Sequence, residues 1–115
     1  MTWGQAASAS AVVVPTYKPS ATISVTEKGE VVVKNAVVFM VSGKAIFART
    51  YWGDSYMRWT VRVSDKTNLI KRFGGTSQLS DIKVGHILNV EGVLTLGADS
   101  MSIEATSIRD LNLEI

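Results

Sequence analysis

A chain of 115 residues with 46% hydrophobic and 19% charged residues has the size and composition of one folded domain. It can bury roughly two-thirds of its unfolded surface without metal or disulfide staples. The absence of cysteine excludes disulfide frameworks, thiolate metal sites and cysteine nucleophiles, and a single histidine excludes paired-histidine metal motifs, so neither a cofactor nor a metal is implied.

Residues 1–20 differ from the rest. Ala and Ser dominate Gln5 to Ala11, Val12-Val13-Val14 follows, and both prolines of the chain, Pro15 and Pro19, lie within this stretch. Prolines disfavour a continuous helix or a central strand, so the segment reads as an extended or flexible leader to a domain over 21–115. A β-branched triplet is costly to leave in water, which makes residues 10–20 a candidate for adding to a sheet edge and for self-association. The first residues carry no basic region followed by an apolar core; they are not an intact signal peptide but fit the start of a mature exported chain. No apolar run approaches the roughly 18 residues of a membrane-spanning helix.

From Ala21 the pattern is that of strands. Ile23 and Val25 alternate with Ser24 and Thr26, and Glu27 to Glu30 turns the chain into Val31-Val32-Val33. Lys34-Asn35 interrupts, Val37 to Val41 resumes, Gly43 marks a bulge or bend, and Lys44 to Trp52 continues extended. Gly53-Asp54-Ser55 reads as a hairpin loop. The alternation is cleanest in the strand that follows, with Met57, Trp59, Val61 and Val63 on one face and Tyr56, Arg58, Thr60 and Arg62 on the other. Thr67 to Phe73 forms a further strand, stopped by Gly74-Gly75. Thr76 to Val84 is the single helical patch, with Ser77 or Ser80 as cap and Gly85 as stop. His86 to Leu96 then places Leu88, Val90, Gly92 and Leu94 inward. Gly97-Ala98-Asp99 turns into Met101 to Ile108, with Ile103 and Ala105 inward.

Five strands from Val37, with a helical turn between the third and fourth, match the element order of a small OB-like Greek-key barrel of five to seven strands. The alternative is a β-sandwich, which strand number alone does not separate from it.

Val37 to Gly43, Tyr51-Trp52-Gly53, Trp59-Thr60-Val61, Arg72-Phe73-Gly74-Gly75, Leu79-Ser80-Asp81-Ile82, Val84-Gly85-His86 and Gly92-Val93-Leu94 form an ordered set over about residues 21–110. In this order the chain resembles a family of short, functionally uncharacterised OB-like barrel domains of predicted exported bacterial proteins. His86 stands where that family's pattern has an acidic residue. The resemblance implies an extracytoplasmic, non-enzymatic binding or structural module (periplasmic, cell-surface or secreted) and brings no catalytic residues with it; a cytoplasmic location is the alternative.

Charge is unevenly distributed behind the small total. Residues 44–72 carry +5 and residues 73–115 carry −4. The basic part also holds Phe47, Tyr51, Trp52, Tyr56 and Trp59. OB barrels bind ligands across their second and third strands, where aromatic rings beside cations can hold single-stranded nucleic acid. Tyr51, Trp52, Tyr56, Arg58, Arg62, Lys71 and Arg72 are therefore the candidate ligand-binding residues. Tyr51, Trp52 and Tyr56 flank one turn and suit a protein or glycan partner; Tyr56, Arg58 and Arg62 with Lys71 or Arg72 suit a nucleic acid. Trp59, on the apolar face, reads as core. No arrangement of His86, the serines or the carboxylates forms a catalytic or calcium-binding motif, and none is expected to be an enzyme site.

Overall fold

The computed structural model describes residues 19–96 and 101–114; residues 10–18, with the Val12-Val13-Val14 triplet proposed for edge addition, and the Gly97-Ala98-Asp99 turn lie outside them. The described chain forms seven strands and one short turn of 3₁₀-helix: β1 (Thr22–Val25), β2 (Glu30–Ser42), β3 (Ala45–Trp52), β4 (Ser55–Arg62), β5 (Asn68–Lys71), η1 (Leu79–Asp81), β6 (Ile87–Leu96) and β7 (Met101–Asp110). Among the described residues, no helix is long and apolar enough to cross a membrane.

Five of these strands close a ring. β2 pairs with β3, β3 with β4, β4 in parallel with β7, β7 with β6, and β6 back with β2. β1 and β5 are additions on the edges of β2 and β7. This connectivity, with η1 between the third and fourth ring strands, is that of an OB-like barrel, and closure rules out an open sandwich of two sheets.

Closing so small a ring makes β2 and β7 bend, and local backbone devices supply the bend. Val33 pairs with Val90 and Ala36 with Leu88, so Lys34 and Asn35 face a single residue of β6. Asn35 takes a left-handed φ of 65°, a conformation its short polar side chain tolerates. Its N–H donates to Asn89 Oδ1 at 3.1 Å, and its Nδ2 donates to the Ser20 carbonyl at 2.9 Å. The inward positions accordingly slip from Val31 and Val33 to Ala36 and Val38. Lys34-Asn35 is thus a bulge within one 13-residue strand rather than a break between two. A second bulge leaves Thr106 of β7 unpaired between Ala105 and Ser107, and its hydroxyl donates to the Glu91 carbonyl at 3.2 Å.

Two expected details change. Gly43 is not a bend within a strand: with Lys44 it makes a two-residue hairpin loop between Ser42 and Ala45, its φ of 57° supplying the positive dihedral such loops need. Gly53-Asp54 repeats this arrangement between Trp52 and Ser55. The stretch from Val37 to Trp52 is therefore two ring strands, whereas the strand after Arg62 lies outside the ring. The helical patch shrinks to η1, capped at Gln78 rather than at Ser77 or Ser80: the Gln78 N–H donates to Asp81 Oδ2 at 3.0 Å.

The core fills the cylinder with β-branched and aromatic side chains. Trp59 is 2% exposed among Ile46, Val61, Leu88, Val90, Ile103 and Ile108. Its indole N–H donates to Thr50 Oγ1 at 3.0 Å, so neither buried polar group goes without a partner.

Gly92 sits where β6 crosses the Thr106 bulge. A Cβ there would lie 2.3 Å from the Glu104 carbonyl oxygen and 2.9 Å from Ala105 Cα, both backbone atoms that yield only if the bulge opens. Gly92→Ala is expected to lower unfolding stability by about 1–3 kcal/mol, read as a drop in the urea midpoint. A midpoint equal to that of the parent would show that this crossing is not tightly packed.

Candidate functional site

The β3–β4 hairpin carries the site. Alternation sends Ile46, Ala48 and Thr50 of β3 and Met57, Trp59 and Val61 of β4 toward the inside. Phe47, Arg49 and Tyr51 of β3 and Tyr56, Arg58, Thr60 and Arg62 of β4 consequently share the outer face. Phe39 of β2 borders the same face, because the register shift between Val38 and Met40 brings it beside Phe47, with ring centroids 6.3 Å apart.

Arg49 is the centre of this surface. Its guanidinium carbon lies 4.6 Å from the Phe39 ring centroid and 4.5 Å from that of Tyr56, with β3 flanked by the strands of the two rings. Stacking on rings leaves the N–H fork of an arginine pointing along its own plane, free for oxygen acceptors. Arg49 Nε is buried and has no hydrogen-bond partner among the described residues. Directly across the ladder stands Arg58, exposed and, like Arg49, without an ion-pair partner among the described residues. Like charges directly opposite each other on one face of a sheet destabilise the pair. A groove of about 560 Å³ runs along Arg58, lined by Phe39, Phe47, Tyr56, Thr60 and Met101 and reaching the inward-facing Met57 and Trp59.

The structure divides the seven residues expected from sequence. Tyr56 and Arg58 line the groove. Tyr51 backs Tyr56, with ring centroids 6.0 Å apart, but is itself only 6% exposed and supports the surface rather than forming it. Trp52 has the opposite parity and is 44% exposed on the other side of the hairpin, so Tyr51, Trp52 and Tyr56 do not form a single aromatic tip. Arg62 shares the outer face, but its Nε lies 3.7 Å from Glu104 Oε2 and its charge is matched. Lys71 and Arg72 lie elsewhere. Lys71 pairs with Asp110 at the far end of β7, whereas β4 meets β7 at Met101 to Glu104; about six residues of strand, on the order of 20 Å, separate the two pairings. Their carbonyls accept hydrogen bonds from Arg109 Nη1, and the Arg72 Nη1 lies 3.9 Å from Glu114 Oε2.

Sequence reasoning missed Arg49, Phe39 and Phe47 as site residues. The signal for Arg49 was its place opposite Arg58 once the Gly53-Asp54 loop fixes the register; Phe39 had none, because a bulge decides which way it faces.

A second feature appears at the other end of the barrel. His86 Nδ1 lies 2.7 Å from Asp110 Oδ2, and Asp110 is 1% exposed. Asp110 Oδ1 accepts the Asn112 N–H, and Asn112 Oδ1 accepts the Ile87 N–H. The histidine is thus oriented by a carboxylate 24 residues away, which local sequence did not reveal. The pair ties the start of β6 to the end of β7, and nothing among the described residues hydrogen-bonds the other ring nitrogen.

Compared with known proteins, the chain matches no family model and no curated protein.

The uncompensated arginine pair predicts a gain in stability when it is broken. Arg58→Glu is expected to stabilise the fold by about 0.2–1 kcal/mol in low salt, and the gain should shrink as salt screens it. Denaturant unfolding at two ionic strengths measures both effects; a stability that falls in both would mean that Arg58 is held by a favourable contact and is not electrostatically strained.

Proposed function

We propose that this chain is a non-enzymatic binding module whose ligand is anionic and docks on the outer face of β3 and β4. One observation carries the reading: Arg49 and Arg58 stand opposite each other with no carboxylate among the described residues to balance them, and Arg58 lines an apolar groove. A cost of this kind within a fold supports a role in function, since an anion placed between the two forks turns repulsion into charge-assisted hydrogen bonds. The elements of the fold agree with that placement, because these strands are the second and third of an OB-like ring, where such barrels take their ligands. The resemblance to barrel domains of exported bacterial proteins supports an extracytoplasmic setting for the module.

The reading is tested with inorganic polyphosphate as a generic anionic probe, followed by calorimetry in low salt. Arg49→Met and Arg58→Ala are each expected to weaken binding roughly tenfold, the scale of losing a hydrogen bond to a charged group. Lys71→Ala and Arg72→Ala should leave it nearly unchanged. Equal losses at all four positions would mean diffuse attraction to a basic surface, and no binding at low ionic strength would remove the proposal.

A further inference from the structure

Resting on that reading, we infer that the anionic ligand is single-stranded nucleic acid, held by two phosphates on Arg49 and Arg58 and by bases stacked in the groove along Tyr56 and Phe47. Three observations select it among anions. First, the groove along Arg58 is walled by rings and methionines; Phe39, Phe47, Tyr56, Met57, Trp59 and Met101 line it, and Arg58 and Thr60 add polar side-chain groups. A polysaccharide meets such walls only through its C–H faces and offers no π-surface to the rings and arginines. A base presents a flat apolar face that such walls accept.

Second, Tyr56 is 51% exposed, with Arg49 over its ring and Tyr51 packed against it. The ring is therefore braced by neighbours while much of its surface stays open to a ligand, as a stacking platform requires. Third, the arginine forks and the rings share one face of one hairpin, so a ligand must offer negative charge and exposed aromatic surface within a short distance of each other. A single strand does this at every nucleotide. A duplex does not, because its bases are stacked on one another and turned away from such a face.

The footprint is small, and that gives the inference a number. Arg62 is matched by Glu104, and Lys71 and Arg72 lie at the far end of β7, which leaves two free cations on the face among the described residues. At about −0.7 per phosphate for a single strand, the logarithm of the binding constant should fall with the logarithm of salt with a slope of about −1.4. A dedicated binder with many phosphate contacts would show several times that.

The experiment compares three labelled probes by fluorescence anisotropy across a salt series: an oligothymidylate of about twelve nucleotides, an abasic phosphodiester of the same length, and the corresponding duplex. The oligothymidylate is expected to bind at least about tenfold more tightly than the other two, with a salt slope of about −1.4. Arg58→Ala should reduce the slope by about 0.7, with Arg58→Lys restoring it. Tyr56→Leu should weaken the oligothymidylate roughly five- to hundredfold and leave the abasic probe unaffected. Both positions are exposed, and thermal unfolding of each variant confirms that the barrel is intact. Equal affinity for the oligothymidylate and the abasic probe would overturn the inference while leaving the anion-binding reading in place. Preference for the duplex would overturn it as well. Failure of all three probes, together with polyphosphate, would remove the underlying reading too.

Discussion

Closure of a five-stranded ring is the constraint on which the other features of this molecule depend. β2 is bonded to three strands and β7 to three, which a flat ribbon cannot manage. Each must coil, and each does so where an extra residue interrupts the ladder: Asn35 in β2, with its positive φ, and Thr106 in β7. Gly92 is the complementary device, since the two backbones approach too closely at that crossing for any side chain. These points fix which side chains of β3 and β4 face the core and which face outward. The outer face of β3 and β4 follows from the coil.

The outer face shows a different balance. Within the barrel several polar groups are paired, Trp59 with Thr50, His86 with Asp110 and Asn35 with Asn89, while Ser77 Oγ is buried without a hydrogen-bond partner among the described residues. On the β3–β4 surface Arg49 is stacked between rings with a buried Nε that has no acceptor, opposite a second arginine. Natural sheets avoid like charges in direct opposition, because the Coulomb cost is not recovered by contact. Two opposed arginines without an ion-pair partner among the described residues, beside an apolar groove, are the physical reason for placing the candidate site there. The His86–Asp110 pair ties β6 to β7 at the other end of the barrel.

Much of the architecture was legible in the residues. The alternation from Tyr56 to Arg62 placed Trp59 inside and Arg58 outside, and Gly53-Asp54 set the hairpin that pairs them with Ala48 and Arg49. Boundaries were less legible where the backbone departs from strict alternation. Lys34-Asn35 reads as a break because the inward parity slips there, although the strand runs through it. Gly43 reads as a bend because a two-residue hairpin loop and a kink call for the same residue. Lys71 and Arg72 look like members of the basic face until the parallel pairing of β5 with the end of β7 carries them away from it.

The sequence by itself determined the class of object: short strands of period two, turns rich in glycine, one helical turn, a core of Val, Ile and Trp, and a basic stretch interleaved with aromatics. These are local properties, set by neighbours along the chain. Which cations stand together, which aromatic ring turns toward them, and which histidine finds a carboxylate were decided only when the ring closed. Each depends on register between strands far apart in sequence and on bulges that flip a side chain from one face to the other, and no local pattern encodes either.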